Sequence, residues 1–118
     1  MVTIKAFTDL QQSRKLAEFL PLESADMYWY IAIKGNPKAM FNEVYNKYGD
    51  FEMPCWSLTA LLELIPLYTL EQTTDGKVIV VSEIGQYSKC SEARDNPIDA
   101  AFEIVCWLIE QKHIKVNK

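Results

Sequence analysis

Residues 95–111 read DNPIDAAFEIVCWLIEQ, and this stretch limits the possible folds more than any other part of the chain. Asn96 offers a side-chain oxygen to cap a helix. Pro97 suits the first helical position, where no amide hydrogen is needed, and Asp99 puts negative charge into the positively polarised first turn. Advancing about 100° per residue, Ile98, Ala101, Phe102, Ile104, Val105, Leu108 and Ile109 share one broad arc. An apolar face this wide needs a layer to cover it. Asp99, Glu103 and Glu110 form a narrow stripe beside the arc, and Trp107 lies past the acids on the far side.

The covering layer is expected from the segment just upstream. YTLEQTT and KVIVVSE flank Asp75-Gly76, a strong hairpin signal because Gly tolerates positive φ. QYSKCSEA, after Gly85, supplies a third strand. Before them, Ser57 caps a short helix, LTALLELI, with Trp56 and Leu61 placed as a hydrophobic staple. Leucines and Ile65 surround that helix almost completely, the pattern of a buried one.

The first half is less regular. Thr8 with Gln11 three residues on predicts a capping box for a helix bearing Leu10, Leu16, Ala17 and Leu20, ended by Pro21. LPLESAD reads as a turn or a single helical turn. MYWYIAI, residues 27–33, reads as a strand covered on both faces. Asn36-Pro37 predicts a helix carrying Met40, Phe41, Val44, Tyr45 and Tyr48 and stopped by Gly49, with GDFEMPC as a connector. The whole is expected to be a single α+β domain over residues 1–118, in two layers. Helices would pack on one face of a mainly antiparallel sheet, with the place of strand 27–33 left open.

Composition removes several function classes. The 118 residues are 49% hydrophobic and 24% charged, ordinary for a globular domain able to bury a core without staples. Twelve basic against sixteen acidic residues leave a net charge of −4. No basic run exists to neutralise phosphates, which disfavours nucleic acid and anionic membrane surfaces. Cys55, Cys90 and Cys106 are too widely spaced for a zinc site or a disulfide framework. The beginning lacks the uninterrupted apolar core of a signal peptide, and the longest apolar segment is broken by Glu63 and Pro66. A reduced, cytoplasmic protein with no membrane association is the expectation.

Chemistry-bearing groups are few. No phosphate-cradling glycine loop, zinc-protease helix or nucleophile elbow is present, and no cofactor or metal is implied. His113 falls at the end of the last helix, where the dipole favours its charged form. Cys55, near a helix start, is either a thiol with lowered pKa or a small buried hydrophobe, and Cys106 reads as the latter. Asp99 and Glu103 are one turn apart, a spacing common on any surface helix. The acidic stripe and Trp107 admit two readings. One is a solvated helix face with Trp107 packed on a neighbouring element. The other is a partner surface made of Trp107, Asp99, Glu103 and Glu110, since Trp is enriched where binding energy concentrates.

The segments QQSRKLAEFLPLESADMYW, PCWSLTALLELIP and DNPIDAAFEIVCWLIE, spread along the chain, together resemble small uncharacterised proteins of Bacteroides-type gut bacteria, often encoded in prophages or other mobile elements. That resemblance implies a genomic setting and no residue roles. The second half, with its helix, three strands and helix and the break SEARDNP, also resembles the HicB-like antitoxins that bind HicA-type toxins. Those use a degenerate double-stranded RNA-binding fold. The chain departs from them in lacking a glycine in the break and a DNA-binding tail. It also has Asp95 and Asp99 where RNA binders carry lysines.

Three functions follow from different classes: an accessory protein acting by contact with an unidentified protein partner, a small enzyme using a carboxylate or Cys55, and an antitoxin-like or nucleic-acid-binding module. A deep polar pocket around those groups would favour the enzyme. Oligomeric state is left open.

Overall fold

The computed structural model describes residues 5–30, 38–41 and 51–112. It is an α+β protein with two separate three-stranded antiparallel sheets, where the sequence suggested one.

Helix α1 spans Leu10–Ala17. Its capping box lies one residue later than expected. Asp9 Oδ1 accepts from the Gln12 amide at 2.8 Å, and the Asp9 amide donates to Gln12 Oε1 at 3.1 Å. Thr8 is unavailable because its hydroxyl is committed to the interior. It shares a 2.8 Å hydrogen bond with Ser13 and accepts from the Trp56 amide at 3.1 Å. A capping pattern read along the chain cannot register a bond to residue 56. A single 3-10 turn follows at Leu22–Ser24, as LPLESAD suggested.

The first sheet has the order β2-β1-β3, built from β1 (Met27–Tyr30), β2 (Lys38–Phe41) and β3 (Phe51–Cys55). The strand read at 27–33 is therefore central in its sheet over its described part; residues 31–33 lie outside the described residues. Two expectations are corrected here. Residues 38–41 are strand rather than helix, and 51–55 are strand rather than connector. Both are recruited by β1, in registers Met27↔Phe41 and Met27↔Cys55. Over residues 38–41, pairing across the chain overrides the helical spacing that Met40 and Phe41 belong to. Pro54 is compatible with β3 because, among the described residues, that strand is an edge. The rest of the helix expected after Asn36-Pro37 lies outside the described residues.

Helix α2 (Leu58–Glu63) is capped by Ser57, as expected. The Ser57 hydroxyl accepts from the Ala60 amide at 3.2 Å and donates to Asp26. Asp26 also accepts from the Ser57 amide at 2.9 Å. The staple residues Trp56 and Leu61 are both fully buried, and Trp56 Nε1 donates to Ser24 Oγ at 3.0 Å.

The second sheet is a meander of β4 (Tyr68–Gln72), β5 (Val78–Ile84) and β6 (Tyr87–Cys90). The hairpin closes where Asp75-Gly76 predicted. Thr73 N donates to Lys77 O at 2.8 Å, and Gly76 takes the left-handed φ of +85°. Helix α3 (Pro97–Glu110) carries the Asn96 cap and Pro97 as expected. It packs on β5 and α2, while α1 packs on β3. One buried cluster joins the two halves: Leu16, Leu20, Trp56, Leu61, Val80 and the arc Ile98, Ala101, Ile104, Val105 and Leu108.

Candidate functional site

The outer side of α3, the N-terminal segment, α1 and the β6 margin enclose a cleft of about 620 Å³. All four residues of the anticipated surface line it: Asp99, Glu103, Trp107 and Glu110. Trp107 is half-buried against the core cluster while also lining the cleft. Its place is thus the border between arc and stripe, rather than off both.

The acidic stripe is not a bare negative surface. Asp99 Oδ1 accepts from Lys5 Nζ at 2.8 Å and Gln12 Nε2 at 2.9 Å, and Oδ2 accepts from Asn96 Nδ2 at 2.9 Å. One carboxylate therefore ties the N-terminal segment and α1 to the cap of α3. Burial alone would push its carboxyl pKa up. The bonds from Lys5, Gln12 and Asn96, with the Lys5 charge, outweigh burial and hold Asp99 below the usual carboxylate range. Lys5 also donates to Asp9 at 3.1 Å. Partial burial opposes its charge, but the bonds to Asp99 and Asp9 prevail and raise its pKa.

A second knot lies one turn further on. Arg94 donates to Glu103 Oε1 through Nε at 2.9 Å and Nη2 at 2.6 Å, and to Glu92 at 2.9 Å. Glu103 Oε2 accepts from the Glu92 amide at 3.0 Å. The hydrogen bonds to Glu103 raise the pKa of Arg94. Lys15 stands 6.0 Å over the Phe102 ring, a cation–π contact on the α1 side of the cleft. The lining thus holds four basic residues (Lys5, Lys15, Lys89, Arg94), four acidic ones (Asp9, Asp99, Glu103, Glu110) and the aromatic rings of Phe102 and Trp107.

The sequence reading missed the basic half of this site. Lys5 and Gln12 lie 94 and 87 residues from Asp99, and no local pattern links them. Arg94 stood in the break before the helix, nine residues from Glu103, a spacing that marks no motif.

The groups weighed for chemistry are placed as follows. Cys55 is fully buried, 3.4 Å from Thr8 O, and burial pushes its thiol up to about 11. Burial also raises the Cys106 thiol. A thiolate nucleophile needs the opposite shift, so both act as packing groups. Asp99 is held below the usual carboxylate range, the wrong direction for a proton donor, and Glu103 is hydrogen-bonded to Arg94 and the Glu92 amide. No group of His, Cys, Asp and Glu among the described residues could hold a metal, and His113 lies outside them. No described helix is long and apolar enough to cross a membrane. In comparisons with known proteins, the chain matches no family model, no curated protein and no solved structure.

Proposed function

We propose that this chain is a small accessory protein acting by protein–protein contact, with the α1–α3 cleft receiving a segment of its partner. One observation carries the reading: Trp107, Phe102 and both acid–base knots meet in a single cleft of about 620 Å³. Half-buried aromatic rings give a partner side chain apolar area, and the fixed charges around them give orientation at low ordering cost. Equal numbers of acids and bases suit a polypeptide better than a polyphosphate. A reducing, cytoplasmic setting fits three free cysteines with Cys90 exposed. The resemblance to mobile-element proteins supports a phage or mobile-element host process.

The test is capture of partners from the source cells by the tagged protein, read by quantitative mass spectrometry, with Trp107→Ala and Glu110→Lys beside wild type. Trp107→Ala is expected to weaken the association about 30-fold, the equivalent of a hot-spot loss of roughly 2 kcal/mol. Glu110→Lys alters the rim charge without touching either knot, and its effect should be smaller. Binding that both variants leave unchanged removes the reading.

The order α2-β4-β5-β6-α3 also matches the arrangement implied by the antitoxin resemblance. Capture of a toxin encoded beside the protein would favour that version of the same contact function. Topology alone does not assign it.

A further inference from the structure

Strand β4 is exposed at every residue, with Tyr68 and Leu70 respectively 40% and 47% accessible. Among the described residues it forms an open edge, since its sheet runs β4-β5-β6. Natural edges are usually defended by Lys, Pro or a bulge. Tyr68–Gln72, YTLEQ, contains no Lys or Pro, its single charge is Glu71, and its pairing with β5 runs without a register shift.

The hydrogen-bond phase of this edge can be derived. Thr73 N donates to Lys77 O, and Glu83 N donates to Leu67 O. Both lie on the antiparallel register Tyr68↔Ser82 to Gln72↔Val78. Hydrogen-bonded and non-bonded pairs alternate along such a ladder. Thr69 and Glu71 therefore bond to β5, and Tyr68, Leu70 and Gln72 turn their N–H and C=O groups outward. The side chains of these three share a sheet face with their partners Ser82, Val80 and Val78. Val80 is fully buried, so Leu70 is the next member of an apolar row that runs out of the core into solvent. The start of the strand is also unusual. Leu67 holds a φ of +43°, a strained value for a bulky residue, and is 76% exposed.

We propose that β4 pairs antiparallel with β4 of a second copy about a two-fold axis at Leu70, joining the two meanders into one six-stranded sheet. This dyad makes the segment complementary to itself. Leu70 meets Leu70, completing the row Val80–Leu70–Leu70–Val80, and all three outward-facing residues of each strand find hydrogen-bonded partners. Glu71 comes opposite Thr69, so no like charges oppose each other, whereas a dyad at Glu71 would set two carboxylates together. Gln72 of the second copy comes beside Tyr68. There a groove of about 370 Å³ is lined by Thr59, Leu62, Glu63 and Tyr68. The side-chain amide of the incoming Gln72 is a neutral hydrogen-bond donor, suited to a groove whose lining includes Glu63, and the register brings no second carboxylate opposite Tyr68.

The test uses the full chain in three measurements. Sedimentation velocity over a concentration series should show the 13.6 kDa mass doubling. Leu70→Lys should move the transition to at least tenfold higher concentration. In a Cys90→Ser background, which removes the exposed native thiol, Leu70→Cys should form a disulfide-linked dimer under mild oxidation. Directly opposed Cα atoms in a hydrogen-bonded pair stand about 5.5 Å apart, within disulfide reach. Glu71→Cys in the same background should still associate in sedimentation but form no disulfide, because residue 71 comes opposite Thr69 rather than its own copy. Hydrogen exchange should show the amides of Tyr68, Leu70 and Gln72 gaining protection as concentration rises, with Thr69 and Glu71 protected throughout. A monomer at every concentration overturns the proposal. So does a dimer that Leu70→Lys leaves intact and Leu70→Cys fails to trap, or protection of these amides only when a different protein is added.

Discussion

β5 runs down the middle of the second sheet, and its two sides are finished in different ways. On the β6 side the chain continues past the strand as a strap. The Val80 amide donates to Ser91 Oγ at 3.0 Å, and Val78 and Arg94 exchange backbone hydrogen bonds of 2.7 and 2.9 Å. Arg94 is then pinned to α3 through Glu103. On the β4 side there is pairing and a tight turn, but every side chain of the strand is exposed. The difference shows that hydrogen-bonded pairing and burial are separate contributions. Both sides have the first; burial is added on the strap side at Ser91 and the α3 residues beyond it, while Ser88 and Cys90 of β6 are themselves exposed.

Matched substitutions should therefore cost unequal amounts. The largest effect is expected for Leu108→Ala, which empties a fully buried site on α3. Loss of its contacts and the cavity left behind should cost about 2–5 kcal/mol in urea unfolding. Leu70→Ala on the open side is the control, and equal losses would break the comparison.

Ser91→Ala comes next. It leaves the Val80 amide without its acceptor in a buried place, at roughly 1–3 kcal/mol. A loss well under 1 kcal/mol would mean that the strap is held by its backbone bonds alone.

Asp99→Asn tests whether the knot beyond the strap adds to it. The side chain is 35% accessible, so screening reduces its worth to about 1 kcal/mol at pH 7. The pH dependence has a definite sign. Asp99 is depressed in the folded state, so its contribution is present above the unfolded carboxylate pKa near 3.9 and fades as pH falls through the folded value. Lys5 is raised, so its part is present below about 10.4 and is lost as pH rises through the folded value. The difference between wild type and Asp99→Asn should therefore be widest between these limits, and midpoints measured from pH 2 to 11 would show it. A difference that grows toward acid pH would refute the assignment.

The smallest effect belongs to Leu70→Ala at concentrations where the chain is monomeric, less than about 1 kcal/mol for a half-exposed side chain on an edge. A larger loss would show that β4 is buried in the folded monomer, and the contrast between the sides would disappear.

Legibility followed the distance over which each feature is determined. Ser57, Asp75-Gly76 and Asn96-Pro97 act on backbone groups within a few residues of themselves, and the elements they mark stand where the sequence put them. β2 and β3 do not exist without β1, and their four- and five-residue stretches carry no sufficient pattern of their own. The Thr8 slip is the same problem at one residue: its hydroxyl answers to Trp56 rather than to the first turn of α1. The candidate cleft was half visible. The stripe and Trp107 could be placed from the turn angle of one helix, while its cations come from a remote segment at Lys5 and from the unpatterned break at Arg94.

The clasp of Asp99 on Lys5 and Gln12 also bears on how the chain is made. A ribosome delivers residues in order, at roughly 5–20 per second. Until α3 emerges α1 exists without its closing partner, and Leu16 and Trp56 wait for the α3 residues that share their buried cluster. The nascent chain must therefore stay unaggregated with its interior open until α3 has emerged. The shared cluster thus closes only when α1, Trp56 and α3 are all present.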